Sequence, residues 1–192
     1  MWVRRAAIRS IPAYARVSIE TLERVEEGFD EDPESEARLE RAFSRFERTQ
    51  PALANRVANK LHALKEETSL ALGYFLTLSV WLSFEQTFGA RLTEVAEQDL
   101  EAAHQAFQLD EQLRQDDPEE SVDTDDVIAM EQPNVVTFIR EHIDVALETN
   151  PKSVRIEEVD EVYQLVLIEL MSLSYAVRPP DRYPQGKHEW SA

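Results

Sequence analysis

The chain contains no cysteine, which excludes a disulfide framework and any thiolate nucleophile or thiolate metal site. Glycine is nearly as scarce, with four residues in 192. No Gly-rich phosphate loop occurs, and neither does a G-x-S-x-G or H-E-x-x-H pattern. Basic residues are outnumbered, 20 against 38 acidic ones, for a formal net charge of −18. A broad phosphate-binding face needs clustered Lys and Arg, so no nucleic-acid partner is expected. The longest uncharged stretch, from Thr68 to Phe84, falls short of the roughly 20 apolar residues of a membrane span. Thr68, Ser69, Thr77, Ser79 and Ser83 dilute it further. The N-terminus has no secretory apolar core, because Arg4, Arg5, Arg9 and Arg16 break it. The expectation is a cytoplasmic protein with no membrane association. Arginine far exceeds lysine, as in chains from GC-rich bacterial genomes.

What the sequence does have is helix formers. Ala, Leu, Glu, Arg and Gln dominate, and strand-like alternation is rare. A single-domain, all-α bundle of about six to eight helices follows. Proline and glycine punctuate it. Ser10-Ile11-Pro12 reads as the start of a first helix that carries Ile11, Tyr14, Leu22, Val25 and Phe29 and ends at Gly28. Asp32-Pro33 opens a second, with Leu39, Ala42, Phe43 and Phe46 as its buried stripe. Pro51 opens a third, and the uncharged segment forms a fourth that Gly89 terminates. An amphipathic helix through Leu92, Val95, Ala96, Ala103, Phe107 and Leu113 follows. Residues 115–126 read as an acidic loop, and Val127–Met130 as a short apolar lead-in. Another helix runs from Pro133 past Leu147. The turn Asn150–Ser153 leads to a last apolar helix over about 157–177.

Landmarks recur in order. Asp32-Pro33-Glu34-Ser35, a short helix, Gln50-Pro51, an amphipathic helix and an apolar helix are followed by Asp117-Pro118-Glu119-Glu120-Ser121, a short helix, Gln132-Pro133, an amphipathic helix and an apolar helix. Tyr74, Leu76, Leu78 and Ser83 align with Tyr163, Leu165, Leu167 and Ser172. A pseudo-twofold internal duplication is the simplest account, with one insertion of seven residues whose obvious place is the turn at 150–153. It divides the chain into a basic arm with the first helix (1–31), repeat 1 (32–89), a connecting amphipathic helix (90–116), repeat 2 (117–177) and an extended tail (178–192). On a helical wheel, Ser69, Gly73, Thr77, Ser79 and Ser83 share one face of the first apolar helix. Such a face admits a close neighbour, and the second apolar helix is the natural one.

Chemistry-bearing patterns are few. Glu101 and His104 form one E-x-x-H pair, whereas a ferritin-like di-metal site needs two pairs and two further Glu. The alternating acids at Asp30, Asp32 and Glu34 lack the Gly and the distal Glu of a calcium loop. No metal or other cofactor is expected. Glu169, within LVLIELMSL, is the polar residue that stands out. It either points outward at a helix edge or is buried, and burial demands a partner or a proton. Trp2, Tyr183 and Trp190 sit on the terminal arms, as docking anchors or folded back on the body. The reading is a non-catalytic protein-interaction or assembly protein of a bacterial cytosol, with a protein partner or a second copy. The alternatives are a metal-dependent helical-bundle enzyme or metal carrier, and an acidic decoy for a nucleic-acid-binding partner.

Overall fold

A computed structural model describes residues 8–29, 35–116, 124–151 and 154–181. Among them the chain forms eight α-helices and no strand: α1 (Ile19–Glu27), α2 (Ser35–Thr49), α3 (Pro51–Leu61), α4 (Glu67–Phe88), α5 (Glu97–Asp116), α6 (Thr124–Glu131), α7 (Pro133–Thr149) and α8 (Ile156–Ala176). The fold is the all-α bundle that the composition implies.

The breaks lie where local chemistry puts them. Pro51 and Pro133 each occupy a first helical position, where no amide proton is needed. Gly89 ends α4 at φ 51°, a left-handed conformation that a side chain would strain. Two expectations fail. The first helix does not start at Ser10–Pro12: a 3₁₀ turn covers Ala13–Ala15, Arg16 and Ser18 are extended, and α1 begins at Ile19. Leu92, Val95 and Ala96 precede α5 instead of belonging to it. Val127–Met130 lies inside α6, the short helix expected before Gln132-Pro133. The proposed start at Asp32-Pro33 lies outside the described residues, as do Trp2, Tyr183 and Trp190.

Two near-uniformly apolar helices make the centre. The pair α4·α8 is the most extensive packing contact in the chain. The helices run side by side in the same direction. At their starts, the Glu158 carboxylate accepts from the amides of Lys65 (3.2 Å) and Glu66 (3.1 Å), just before α4. At their ends, Thr93 N–H donates to Ala176 O (3.0 Å) and Arg178 N–H to Arg91 O (2.8 Å). The small-residue face of α4 is fully buried at Ser69, Thr77, Ser79 and Ser83. Gly73 shares it, and a Cβ there would lie 2.4 Å from a Leu61 methyl and 3.4 Å from one of Val162. The absent side chain leaves the space that the Leu61 side chain of α3 fills. Trp81 is 1% exposed and packs with its ring centroid 5.2 Å from that of Phe46, tilted by 51°.

The packing is quasi-symmetric. Exchanging α1 with α5, α2 with α6, α3 with α7 and α4 with α8 turns α1·α4 into α5·α8 and α2·α3 into α6·α7. It likewise turns α1·α7 into α3·α5 and α4·α7 into α3·α8, and leaves α4·α8 unchanged. Among the described residues, the helix pair without a counterpart of this rank is α5·α6. Helix α7 has 17 residues against 11 in α3, and the connection that follows it is one residue longer.

Candidate functional site

The two Gln-Pro motifs become a pair of clamps. Gln50 and Gln132 precede α3 and α7 with nearly the same backbone (φ −136°, ψ 58° and φ −128°, ψ 59°). Both side chains are buried. Gln50 donates to Thr93 O (3.1 Å) and accepts from Val95 N–H (2.8 Å), gripping the extended segment before α5. Gln132 donates to Ala15 O (2.6 Å) and accepts from Val17 N–H (3.2 Å), gripping the segment before α1. Each thus satisfies a carbonyl and the amide two residues on, which no helix reaches. Asn134 adds a bond to Val17 O (2.9 Å). This non-local grip explains why the helix expected from Pro12 starts only at Ile19.

Glu169 lies in the α4–α8 core with no exposure at all. Neither carboxylate oxygen makes a hydrogen bond, and the Thr77, Ser79 and Ser69 hydroxyls are also unmatched. Burial pushes its pKa well above the ordinary 4.5, and the neighbouring Thr77 hydroxyl opposes the rise without forming a well-shaped hydrogen bond. No charged group acts on it. Of the sequence alternatives, the outward-pointing one is overturned, because every face of this part of α8 is covered: residues 165–174 are all buried. The paired alternative fails too, because no well-formed donor meets the carboxyl, and burial favours its neutral form. Other core hydroxyls bond back along their own helix, as Ser83 does to Ser79 O, Ser172 to Ile168 O and Ser174 to Leu170 O (2.7 Å each).

The E-x-x-H pair is a weak surface contact. His104 Nδ1 lies 3.8 Å from the Glu101 carboxylate, and Arg56 lies 3.9 Å from it. Burial lowers the His104 pKa and Arg56 adds to this, outweighing the pull of Glu101. A neutral imidazole beside a salt-bridged carboxylate brings no third ligand, and no group of three or more His, Asp or Glu suited to a metal occurs among the described residues. A cleft of about 330 Å³ lies between α5 and the end of α8, bordered by Arg9, Glu94, Asp99, Ala103 and Tyr175. The Tyr175 hydroxyl donates to Arg9 O. Burial pushes its pKa up to about 12, with Glu131 adding to the rise. A phenol that holds its proton so tightly, tied to a main-chain carbonyl, is a fastener for the N-terminal segment.

The surface offers more. Glu40, Arg41, Ser44, Arg45 and Arg48 line a shallow groove of about 450 Å³ on the outer face of α2. The positions 41, 44, 45 and 48 follow helical one-face spacing, opposite the inward Ala42 and Phe46. Arg45 is fixed by Glu85 (2.7 Å) and by the Trp81 ring, 5.4 Å from its guanidinium carbon. Arg41 and Arg48 are exposed and form no ion pair. The sequence reading recorded the inner stripe of α2 and passed over this outer one. Its signal was present as arginines recurring three and four apart in a strongly acidic chain. Large apolar side chains also reach solvent, with Met130 67%, Val145 60% and Ile156 68% exposed. No helix among the described residues is long and apolar enough to cross a membrane. Comparison with protein-family models, curated proteins and solved structures gives no match.

Proposed function

We propose that this chain is a non-catalytic interaction protein of a bacterial cytosol, built from two duplicated four-helix units, α1–α4 and α5–α8. The reciprocal Gln50 and Gln132 clamps support the duplication, since each unit grips the entry segment of the other's first helix. The repeat then includes α1 and α5, one helix more per unit than the sequence landmarks delimit. The observation that carries the interaction reading is the outer face of α2, where unpaired Arg41 and Arg48 flank an immobilised Arg45 in a chain of net charge −18. A pre-ordered guanidinium loses little freedom on meeting a carboxylate, which favours recognition of acidic protein surfaces.

The test compares immobilised wild-type protein with the Arg41→Glu/Arg48→Glu variant in cell extract. The comparison is made at about 50 mM and about 500 mM salt, a range over which exposed charges become screened. Proteins held at low salt by the wild type and released by the variant and by salt support the reading. Identical retention by both proteins removes α2 as the docking face. Stoichiometric iron, manganese or zinc in purified protein revives the metal-enzyme alternative instead.

A further inference from the structure

We infer that the α2 face of one copy docks on the α7 face of a second copy. The inference rests on the interaction reading above and names its partner. Helix α7 presents Glu141, Asp144, Val145 and Glu148 to solvent. None of the three acids forms an ion pair. Their spacing repeats that of Arg41, Ser44, Arg45 and Arg48 on α2. Laid antiparallel, the two faces bring Arg41 opposite Glu148, Arg45 opposite Asp144 and Arg48 opposite Glu141, with Ser44 against Val145. Both stripes span about 10 Å of helix, so a single register satisfies all three pairs.

The sign difference extends to the whole hairpins. Across α2 and α3 there are six basic against three acidic side chains, and across α6 and α7 one basic against six acidic. These hairpins are counterparts in the quasi-symmetric packing. Each molecule therefore has a basic hairpin and an acidic hairpin. Like-charged hairpins repel, which disfavours an α2-to-α2 contact, while oppositely charged ones attract. A contact between different patches closes as a reciprocal pair about a twofold axis, closes as a ring or propagates as a filament. Overall repulsion between two chains of charge −18 is long-ranged and is screened beyond about 8 Å at physiological salt. The facing pairs act well inside that distance.

Sedimentation velocity on the purified full chain tests this. At about 150 mM salt the mass should rise with protein concentration, and at about 500 mM it should return toward the monomer value of 22.1 kDa. Arg41→Glu/Arg48→Glu and Glu141→Arg/Glu148→Arg should each weaken association at least about tenfold. The four substitutions combined should restore it. All four side chains are exposed, and circular dichroism checks that each variant keeps its helices. A wild type that stays monomeric, association indifferent to either reversal, or a folded combined variant that stays dissociated would each overturn the second-copy contact. A monomeric wild type that still retains a foreign acidic protein through α2 leaves the wider docking reading standing.

Discussion

Replacing Glu169 with leucine should stabilise the protein, and the gain should grow with pH. In the folded chain this carboxyl is wholly buried with no donor in hydrogen-bond geometry, and its pKa is raised well above 4.5. In the unfolded chain it titrates near that ordinary value. Between the two pKa values the folded state holds a proton that the unfolded state has released, so stability falls as pH rises. The contribution of Glu169 is fully present below about pH 4.5 and is lost as pH climbs through the folded-state pKa. The slope is up to about 1.4 kcal/mol per pH unit. Each pH unit inside that window is therefore a sizeable share of the roughly 5–15 kcal/mol typical of a domain. Leucine has similar bulk and no charge, and apolar replacement of buried ionisable groups is often neutral or stabilising. Glu169→Gln keeps the shape and also removes the titration. The assay is urea unfolding of the wild type and both variants from about pH 4.5 to pH 7.5, with the denaturant slope as the check on two-state behaviour. Other carboxylates titrate alike in all three proteins and cancel in the difference. A variant-minus-wild-type difference that stays flat with pH, or a leucine variant that is less stable throughout, would refute a neutral, unpaired Glu169.

The remaining predictions concern packing and the clamps. Trp81→Ala should cost about 3–5 kcal/mol in the same unfolding assay, through lost burial and the cavity left beside Phe46; a loss below about 1 kcal/mol would show that the indole is not part of the core. Gln50→Ala and Gln132→Ala should each cost about 2–4 kcal/mol, because each strands a carbonyl, half-buried at Thr93 and buried at Ala15, and a buried amide. Hydrogen exchange should speed up at Val95 in the first and at Val17 in the second; unchanged protection at those amides would contradict the clamp. Gly73→Ala should lose about 1–3 kcal/mol, because its Cβ would meet Leu61 at 2.4 Å, and a neutral result would mean that α3 yields freely.

Much of this architecture is encoded locally. Pro51 and Pro133 lack an amide proton, Gly89 tolerates positive φ, and the uncharged run before it must be covered on every side. Each of these effects acts within about one helical turn, so neighbours in sequence suffice to place helix ends and to identify α4 and α8 as the centre. The small-residue face of α4 was likewise legible, as was its pairing with α8. Other features depended on partners far along the chain. Nothing near Glu169 in sequence distinguishes a helix edge from a sealed core; the cover comes from elements folded around α8. Gln50 and Gln132 stand out as Gln-Pro repeats, yet their roles exist only because Thr93–Val95 and Ala15–Val17 are brought to them. The same distant bonds hold Ala15–Val17 out of the helix that its own spacing favours. Helix propensity is set by residues within about four positions, and a buried side-chain amide from more than a hundred residues away overrides it by satisfying the backbone in extended form. The arginines of α2 and the acids of α7 follow the same division. Their spacing belongs to the sequence, and only tertiary packing decides that both stripes face water.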